Sequence, residues 1–102
     1  MTKYDPFQDL WQIVRKIPKG KVVSYGDLGK MLRNPATGFQ VGRLMASAPD
    51  CVPWWRVVAK DGSLPIHKRS PQLRIEQEKR LRAEGVIFEG GRIEMEKHRW
   101  KI

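Results

Sequence analysis

Residues 24–48 read SYGDLGKMLRNPATGFQVGRLMASA, and this stretch decides the fold. It holds two short helical patterns, separated by a break that contains asparagine and proline. Ser24 and Asp27 have the spacing of a capping box at the start of the first helix, and Thr37 is a suitable cap for the second. The stretch therefore predicts either a helix-turn-helix or an ordinary hairpin of two helices.

The second of these helices has two different faces. At about 100° per residue its apolar side chains fall on one side, where we expect them to pack in the core. These are Val41, Leu44, Met45 and Ala48. Phe39 and Arg43 lie on the opposite side, flanked by Gln40 and Ser47. Such an outward face is typical of the helix that a helix-turn-helix places in a DNA groove, although a hairpin with one exposed phenylalanine is the alternative.

Composition narrows the class of protein. The chain has 102 residues, a net charge of +9 and 40% hydrophobic residues, so we expect one folded domain over residues 1–102. Its longest apolar run is far below the ~18 residues of a membrane span, and we expect no membrane partner. The excess of cations favours a polyanion such as nucleic acid, but an ordinary solvated basic surface has the same composition.

The first ten residues and the single cysteine predict the cellular compartment of the protein. Residues 1–10 contain no apolar segment behind a basic one, as a secretory signal would. Cys51 has no second cysteine with which to form an internal disulfide. We therefore expect a cytoplasmic protein, associated with the nucleoid or the nucleus.

Two further helices are predicted on either side of the central stretch. One begins at Asp5-Pro6 and stops before Pro18, with an apolar stripe of Phe7, Leu10, Trp11, Val14 and Ile17. The other begins at Ser70-Pro71, runs to residues 83–84 and closes at Gly85. Its predicted ion pairs are Glu76/Arg80 and Glu78/Arg82. Its apolar stripe is thin and consists of Leu73 and Leu81.

The remaining segments read as short strands and loops. Val22-Val23 and residues 51–58 are rich in β-branched or aromatic residues and predict extended chain. Asp61-Gly62 is a turn, and residues 64–69 form a basic loop. Strands at residues 86–89 and 92–96 flank two glycines and predict a C-terminal wing.

The residues that carry chemistry are few. His67 and His98 have no metal-ligand spacing to other candidate ligands, so we expect structural or solvated roles for them. No obvious base stands near Cys51 in the sequence, so we expect it to be a buried or half-buried small apolar residue rather than a nucleophile. On an extended segment Trp54 and Trp55 would put one ring on each face. One ring then walls a pocket for an extruded base, or else both pack in a small core.

Several motifs, in order, resemble the C-terminal domain of the O6-alkylguanine-DNA alkyltransferases. They are GKVVSYGDL at 20–28, NP at 34–35, QVG at 40–42, PWWRVV at 53–58 and EGV at 84–86, within a match that spans about residues 7–100. The resemblance implies a small winged helix-turn-helix-like domain of the α/β class, mostly α. In those enzymes a Pro-Cys-His-Arg motif carries the cysteine that accepts the alkyl group, and a Cys-His-Glu relay makes it a thiolate.

This chain departs from the enzymes at the reactive positions. Trp54 stands at the cysteine position and Trp55 at the histidine position, while the acidic residue of the relay is retained as Glu84. An indole is neither a nucleophilic thiolate nor a proton-shuttling imidazole, so no catalytic residue, metal or cofactor is expected. The pattern is similar to the alkyltransferase-like proteins. The resemblance implies that the chain binds the DNA minor groove, flips O6-alkylguanine into a pocket and flags it for nucleotide excision repair.

Further departures concern the DNA-binding side. Phe39 stands where the family has an arginine that enters the base stack, and we predict that it acts as an apolar wedge, with packing on a neighbouring loop as the alternative. Arg43 would supply charge to a phosphate. Ala48 replaces an asparagine before the family's hinge proline. The family's glycine-rich loop is replaced here by a segment that carries Lys68 and Arg69.

Pattern and resemblance together predict two sets of site residues in a monomer. DNA contacts are expected from Ser24, Tyr25, Thr37, Phe39, Gln40, Arg43, Lys68 and Arg69, and a lesion pocket from Tyr25, Val52, Pro53, Trp54, Trp55 and Arg56. Tyr25 is included because it matches the family's tyrosine beside the phosphate of the flipped nucleotide. The alternatives are a generic helix-turn-helix protein without lesion specificity, and an enzyme that uses Cys51.

Overall fold

A computed structural model describes residues 3–65 and 70–101 of the chain. Within them the elements are, in chain order, α1 (Pro6–Val14), β1 (Val23–Ser24), α2 (Tyr25–Met31), α3 (Gly38–Met45), a 3₁₀ helix (Trp54–Arg56), β2 (Val57–Val58), α4 (Pro71–Ala83), β3 (Phe88–Glu89), β4 (Arg92–Ile93) and α5 (Met95–His98). The predicted mixed fold, mostly helical with a small C-terminal hairpin, is confirmed.

Helix α1 begins where its cap predicts and ends early. The Asp5 carboxylate accepts a hydrogen bond from the Phe7 amide at 3.0 Å, and Leu10 and Val14 are fully buried. The helix stops at Val14, so the prediction that it continues to Ile17 is wrong. Ile17 lies in the following turn yet is still buried, because a turn can deliver a side chain to the core without continuing the helix.

Helices α2 and α3 form the predicted helix-turn-helix. The Ser24 hydroxyl accepts from the Asp27 amide at 3.1 Å at the start of α2. At α3, Thr37 and Gln40 form a reciprocal capping box, each side chain accepting from the other residue's backbone amide. Val41 is fully buried and Met45 nearly so, as the wheel predicts.

A short parallel pairing joins the two halves of the domain. Strand β1 pairs with β2, placing Val23 beside Val57, and these residues belong to the larger core cluster under α1, α2 and α3. A second cluster lies under α4 and the hairpin and consists of Val22, Val58, Leu64, Leu81, Val86 and Ile93. The 3₁₀ helix thus precedes a strand that borders both clusters.

The prediction of extended chain over residues 51–58 holds only at its end. Residues Trp54–Arg56 form a 3₁₀ helix, in which the Arg56 amide donates to the Pro53 carbonyl at 3.1 Å. The expectation that the two tryptophan rings lie on opposite faces of a strand is therefore wrong. In the 3₁₀ turn the two rings instead lie close enough to meet edge to face, with centroids 5.9 Å apart.

Helix α4 has the predicted bounds but an unpredicted buried face. Leu81 is fully buried, whereas Leu73 is 44% exposed, so the predicted stripe is wrong at that residue. The buried Gln77 takes its place, and its amide nitrogen donates to the carbonyls of Trp55 at 3.2 Å and Val57 at 3.1 Å. The amide nitrogen is therefore satisfied by the backbone of the 3₁₀ turn and of β2.

The C-terminal wing is present but shorter than predicted. Strands β3 and β4 pair antiparallel, and Gly90 and Gly91 connect them with φ of 60° and 80°. The second strand ends at Ile93 and α5 follows, so the expectation of strand as far as residue 96 is wrong. Across the described ranges, no helix is both long and apolar enough to span a membrane.

Gly29 allows the turn of the helix-turn-helix to close. The Ala36 amide donates to the Gly29 carbonyl at 3.0 Å, and a Cβ added at Gly29 would lie 2.0 Å from the Ala36 oxygen. We expect Gly29→Ala to lower the free energy of unfolding by about 1–3 kcal/mol, measured by urea denaturation, because backbone must move. Gly26→Ala in the same helix, where an added Cβ meets nothing within 4 Å, is the control. Equal stability of the two variants would contradict this account.

Candidate nucleic-acid interface and lesion pocket

The outward face of α3 presents an aromatic ring beside a cation. Phe39 is 75% exposed, and the Arg43 guanidinium carbon lies 6.0 Å from its ring centroid. Exposure of this degree is unusual for a phenylalanine, because it leaves apolar surface in contact with water, which is unfavourable. Arg43 partly covers the ring, so the two side chains form one amphipathic feature on the helix.

Several other residues that were predicted to contact DNA make hydrogen bonds or packing contacts within the protein. Gln40 and Thr37 are exposed, but the Gln40 side-chain oxygen accepts from the Thr37 amide at 2.9 Å, which leaves its amide nitrogen to donate outward. Ser24 is buried and its hydroxyl caps α2. Tyr25 is half-buried against the larger core cluster. Lys68 and Arg69 lie outside the described residues, as does His67.

A surface cleft lies at the C-terminal end of α3. It has a volume of about 390 Å³ and separates the loop after α3 from the start of α4, and its lining consists of Met45, Ala46, Ala48, Asp50, Trp54, Ser70 and Leu73. Trp54 forms its aromatic wall. Among the residues predicted for a lesion pocket, Trp54 alone is in this lining.

The remaining predicted pocket residues lie elsewhere. Val52 is fully buried in the core, and Pro53 and Tyr25 are half-buried away from the cleft lining. Trp55 and Arg56 turn towards α4. Sequence reasoning missed the rest of the cleft lining. The one available signal was Leu73, an apolar residue in the first turns of a strongly charged helix.

Glu84 holds the two side chains that follow Trp54. Its carboxylate accepts from the Trp55 indole N–H at 3.0 Å and from Arg56 Nε at 3.0 Å, and a second Arg56 nitrogen forms an ion pair with it. Arg56 also donates to the Ile17 carbonyl at 2.8 Å. The Trp54 and Trp55 rings meet edge to face, with centroids 5.9 Å apart and planes at 86°. The cleft wall is therefore braced through Trp55 to Glu84.

The environment of Glu84 favours its ionised form. Burial raises the pKa of this carboxyl, but hydrogen bonds from Arg56 and Trp55, with the charge of Arg56, lower it by more. The net pKa lies below the ordinary value of 4.5. Glu84 is therefore an anion that orients its neighbours at neutral pH.

The structure provides no metal centre among the described residues, where no group of three His, Cys, Asp or Glu side chains comes together. His98 has a structural role. Its Nε2 accepts from the Ile87 amide at 3.0 Å, and Nδ1 lies 2.9 Å from the Gly20 carbonyl, which fixes the proton on Nδ1. Cys51 is exposed, so the expectation that it is buried or half-buried is wrong, and it is not in the cleft lining.

Comparison with known proteins identifies the family. Residues 5–86 match the model of the DNA-binding domain of 6-O-methylguanine DNA methyltransferases. The chain belongs to this family. The predicted resemblance to the alkyltransferases is thereby confirmed.

Relatives of this alkyltransferase-family chain include proteins that are named for base flipping. A DNA base-flipping protein of Escherichia coli K12 is 39% identical over 98% of this chain and 78% of its own length. One from Vibrio parahaemolyticus is 32% identical over 90% of this chain and 92% of its own length. The structure of S. pombe Atl1 in complex with damaged DNA containing O6-carboxymethylguanine superposes with a TM-score of 0.86, at 27% identity and with full coverage of both chains.

The contacts of Glu84 with Trp55 and Arg56, together called the Glu84 junction, predict that the stability of the protein depends on pH. Because the pKa of Glu84 is lowered in the folded protein, its contribution is complete above the ordinary value of 4.5 and is lost as the pH falls through the lower folded value. We expect Glu84→Gln to lower the free energy of unfolding by about 2–4 kcal/mol at pH 7, because it leaves Arg56 without its partner. The free energy of unfolding of this variant should then fall less than that of the wild type as the pH is lowered.

Urea denaturation of both proteins from pH 7 to pH 3 measures this difference. Glu96→Gln, which removes one exposed carboxylate from α5, is the control and should follow the wild-type curve. Parallel curves for wild type and Glu84→Gln would contradict the proposed junction.

Proposed function

We propose that this protein binds duplex DNA, accepts a flipped O6-alkylguanine in the cleft beside Trp54 and holds it without transferring the alkyl group. The observation that carries the proposal is the place of Trp54. The resemblance of the motifs aligns it with the enzymes' reactive cysteine, and it walls a cleft at the C-terminal end of α3. Met45, Leu73 and the indole offer apolar surface to an added alkyl group.

The chemistry of this wall supports recognition rather than transfer. Trp54 offers no thiolate to attack the alkyl carbon. The indole N–H of Trp55 donates to Glu84 and has no lone pair with which to relay a proton. The relatives named for base flipping agree with a non-catalytic role, although methyltransferases are also among the relatives of this chain.

Binding to DNA is supported by charge and by the relatives. The net charge of +9 favours phosphate contacts through counterion release. Flipping a base costs a few kcal/mol, and less when alkylation has already weakened its pairing, so a damaged guanine is the easier base to extrude. Atl1, the structural relative, is bound to damaged DNA of this kind.

Binding to two matched duplexes tests the proposal. One carries O6-methylguanine and the other guanine, at one near-physiological salt concentration. We expect the lesion to be preferred by tenfold or more, about 1.4 kcal/mol, in a fluorescence anisotropy titration. Equal affinities would indicate instead a helix-turn-helix protein without lesion specificity.

The mass of the intact protein after incubation with the lesion duplex separates recognition from repair. We expect no mass increase. A gain of one methyl group on Cys51 would make the protein an enzyme and overturn the proposal.

We propose further that Phe39 is an apolar wedge in the space left by the flipped base. Its 75% exposure and the adjacent Arg43, which is free of ion pairs among the described residues, suit insertion of the ring with a cation near phosphate. Phe39→Ala should lower lesion affinity about tenfold, because flipping then leaves an unfilled gap, while Phe39→Leu should keep most of it.

Phe7→Ala on α1 is a matched control for this substitution. It removes another exposed phenylalanine, 39% accessible, from a different helix. Lesion affinity by anisotropy should be unchanged in that variant. Full affinity in Phe39→Ala would instead show that the ring has no part in flipping.

A protein that binds a lesion without removing it needs a partner that does. We therefore propose nucleotide excision repair proteins as partners of a cytoplasmic monomer at the nucleoid or nucleus. Excision of the lesion duplex by purified repair proteins, with and without this protein, extends the binding experiment to that step. No increase in excision would remove this part of the proposal.

A further inference from the structure

Arg80 on α4 contacts both tryptophans of the cleft wall. Its guanidinium carbon lies 4.6 Å from the centroid of Trp55 and 5.7 Å from that of Trp54. Both distances are within the ~6 Å at which a cation is attracted to an aromatic face. The Glu76 carboxylate holds the Arg80 Nε at 2.8 Å, so the guanidinium has a defined position.

The Trp54 ring is half-buried and packs in part against the larger core cluster, so contacts with other side chains also help to fix its position. One side chain that touches it is Trp55, edge to face, and Trp55 is itself anchored on Glu84 at 3.0 Å. Arg80 is the second, and it reaches the ring from α4. Arg80 does not line the cleft, so any effect that it has on a ligand there passes through Trp54.

We propose that Arg80 is a positioning residue that sets the selectivity of the cleft by holding the Trp54 ring in place. This inference rests on the proposed function. Dispersion contacts fall steeply with distance, and a gap of about 0.5–1 Å already forfeits a quarter to a half of the attraction. An alkyl group packed on Trp54 therefore loses more when the ring moves than do phosphate contacts elsewhere on the protein. Removing Arg80 should weaken recognition of the lesion more than binding to plain DNA.

Arg82, two residues further along α4, provides a matched control. Its Nε is held by Glu78 at 2.9 Å, and its guanidinium carbon lies 4.6 Å from the Phe88 ring. Arg80→Ala and Arg82→Ala thus each remove one positive charge and one ion pair along the helix. The variants differ in the aromatic contacts that they remove, which are to Trp54 and Trp55 for Arg80 and to Phe88 for Arg82.

The decisive quantity is the ratio of affinities for the lesion and plain duplexes. Arg80→Ala should lower this ratio about tenfold, whereas Arg82→Ala should leave it within about twofold of wild type. Affinity for plain DNA should fall slightly and to a similar extent in both, because each loses one cation. Glu76→Gln keeps Arg80 but loosens it, and should lower the ratio by a smaller factor.

The indole N–H resonances of the free protein test the positioning step without DNA. The chain has four tryptophans, and Trp54→Phe and Trp55→Phe assign the two relevant signals. Arg80→Ala should shift or broaden both signals, and Arg82→Ala should not. The same spectra, through backbone amide dispersion, show that each variant is folded.

The outcomes separate this inference from the function on which it rests. No lesion preference in wild type would defeat the proposed function. A preserved ratio in a folded Arg80→Ala, or unchanged indole signals, would overturn the role of Arg80 alone. An equal loss of the ratio in both arginine variants would show a general effect of helix charge and would also overturn it.

Discussion

The carboxylate of Glu84 is the point on which the rest of the structure depends. It lies just after α4 and binds both Trp55 and Arg56, while Arg56 also reaches the carbonyl of Ile17 after α1. One ionised group thereby joins three segments that are distant in sequence. Because it is nearly buried, loss of this group would leave the Arg56 cation without its partner, and the cleft wall would lose its support.

These contacts of Glu84 suit the proposed function, in which the protein binds a lesion without alkyl transfer. In the enzymes the acid acts in a relay that ends on a cysteine thiolate. Here Glu84, which the motif resemblance aligns with that acid, accepts a hydrogen bond from the Trp55 indole N–H, which can position a ring but cannot carry a proton further. The second indole then faces a cleft lined by Met45 and Leu73. In the proposed function, the protein has no alkyl-transfer activity, and Trp54 forms an apolar cleft wall that is supported by its contact with Trp55.

Local signals in the sequence predicted the helix-turn-helix well. The caps at Ser24 and Thr37, and the two faces of α3, depend on residues within four positions of one another, and all are present. Predictions failed where distant segments compete for the core. Ile17 is buried from a turn, Leu73 faces a cleft, and Gln77 enters the core, where the backbone of the 3₁₀ turn accepts a hydrogen bond from its amide. None of these outcomes is visible in periodicity.

The sequence by itself determined the class of the domain, because the motifs that identify it are short runs of neighbouring residues, and of the cleft lining it predicted Trp54. It also determined that Phe39 points outward, because helical geometry follows from spacing. Only the tertiary structure decided that Arg56 meets Glu84 across 28 positions, and that Arg80 reaches both tryptophans. Such contacts arise when packing brings separate helices and turns together, and no local pattern in the chain encodes the distance between them.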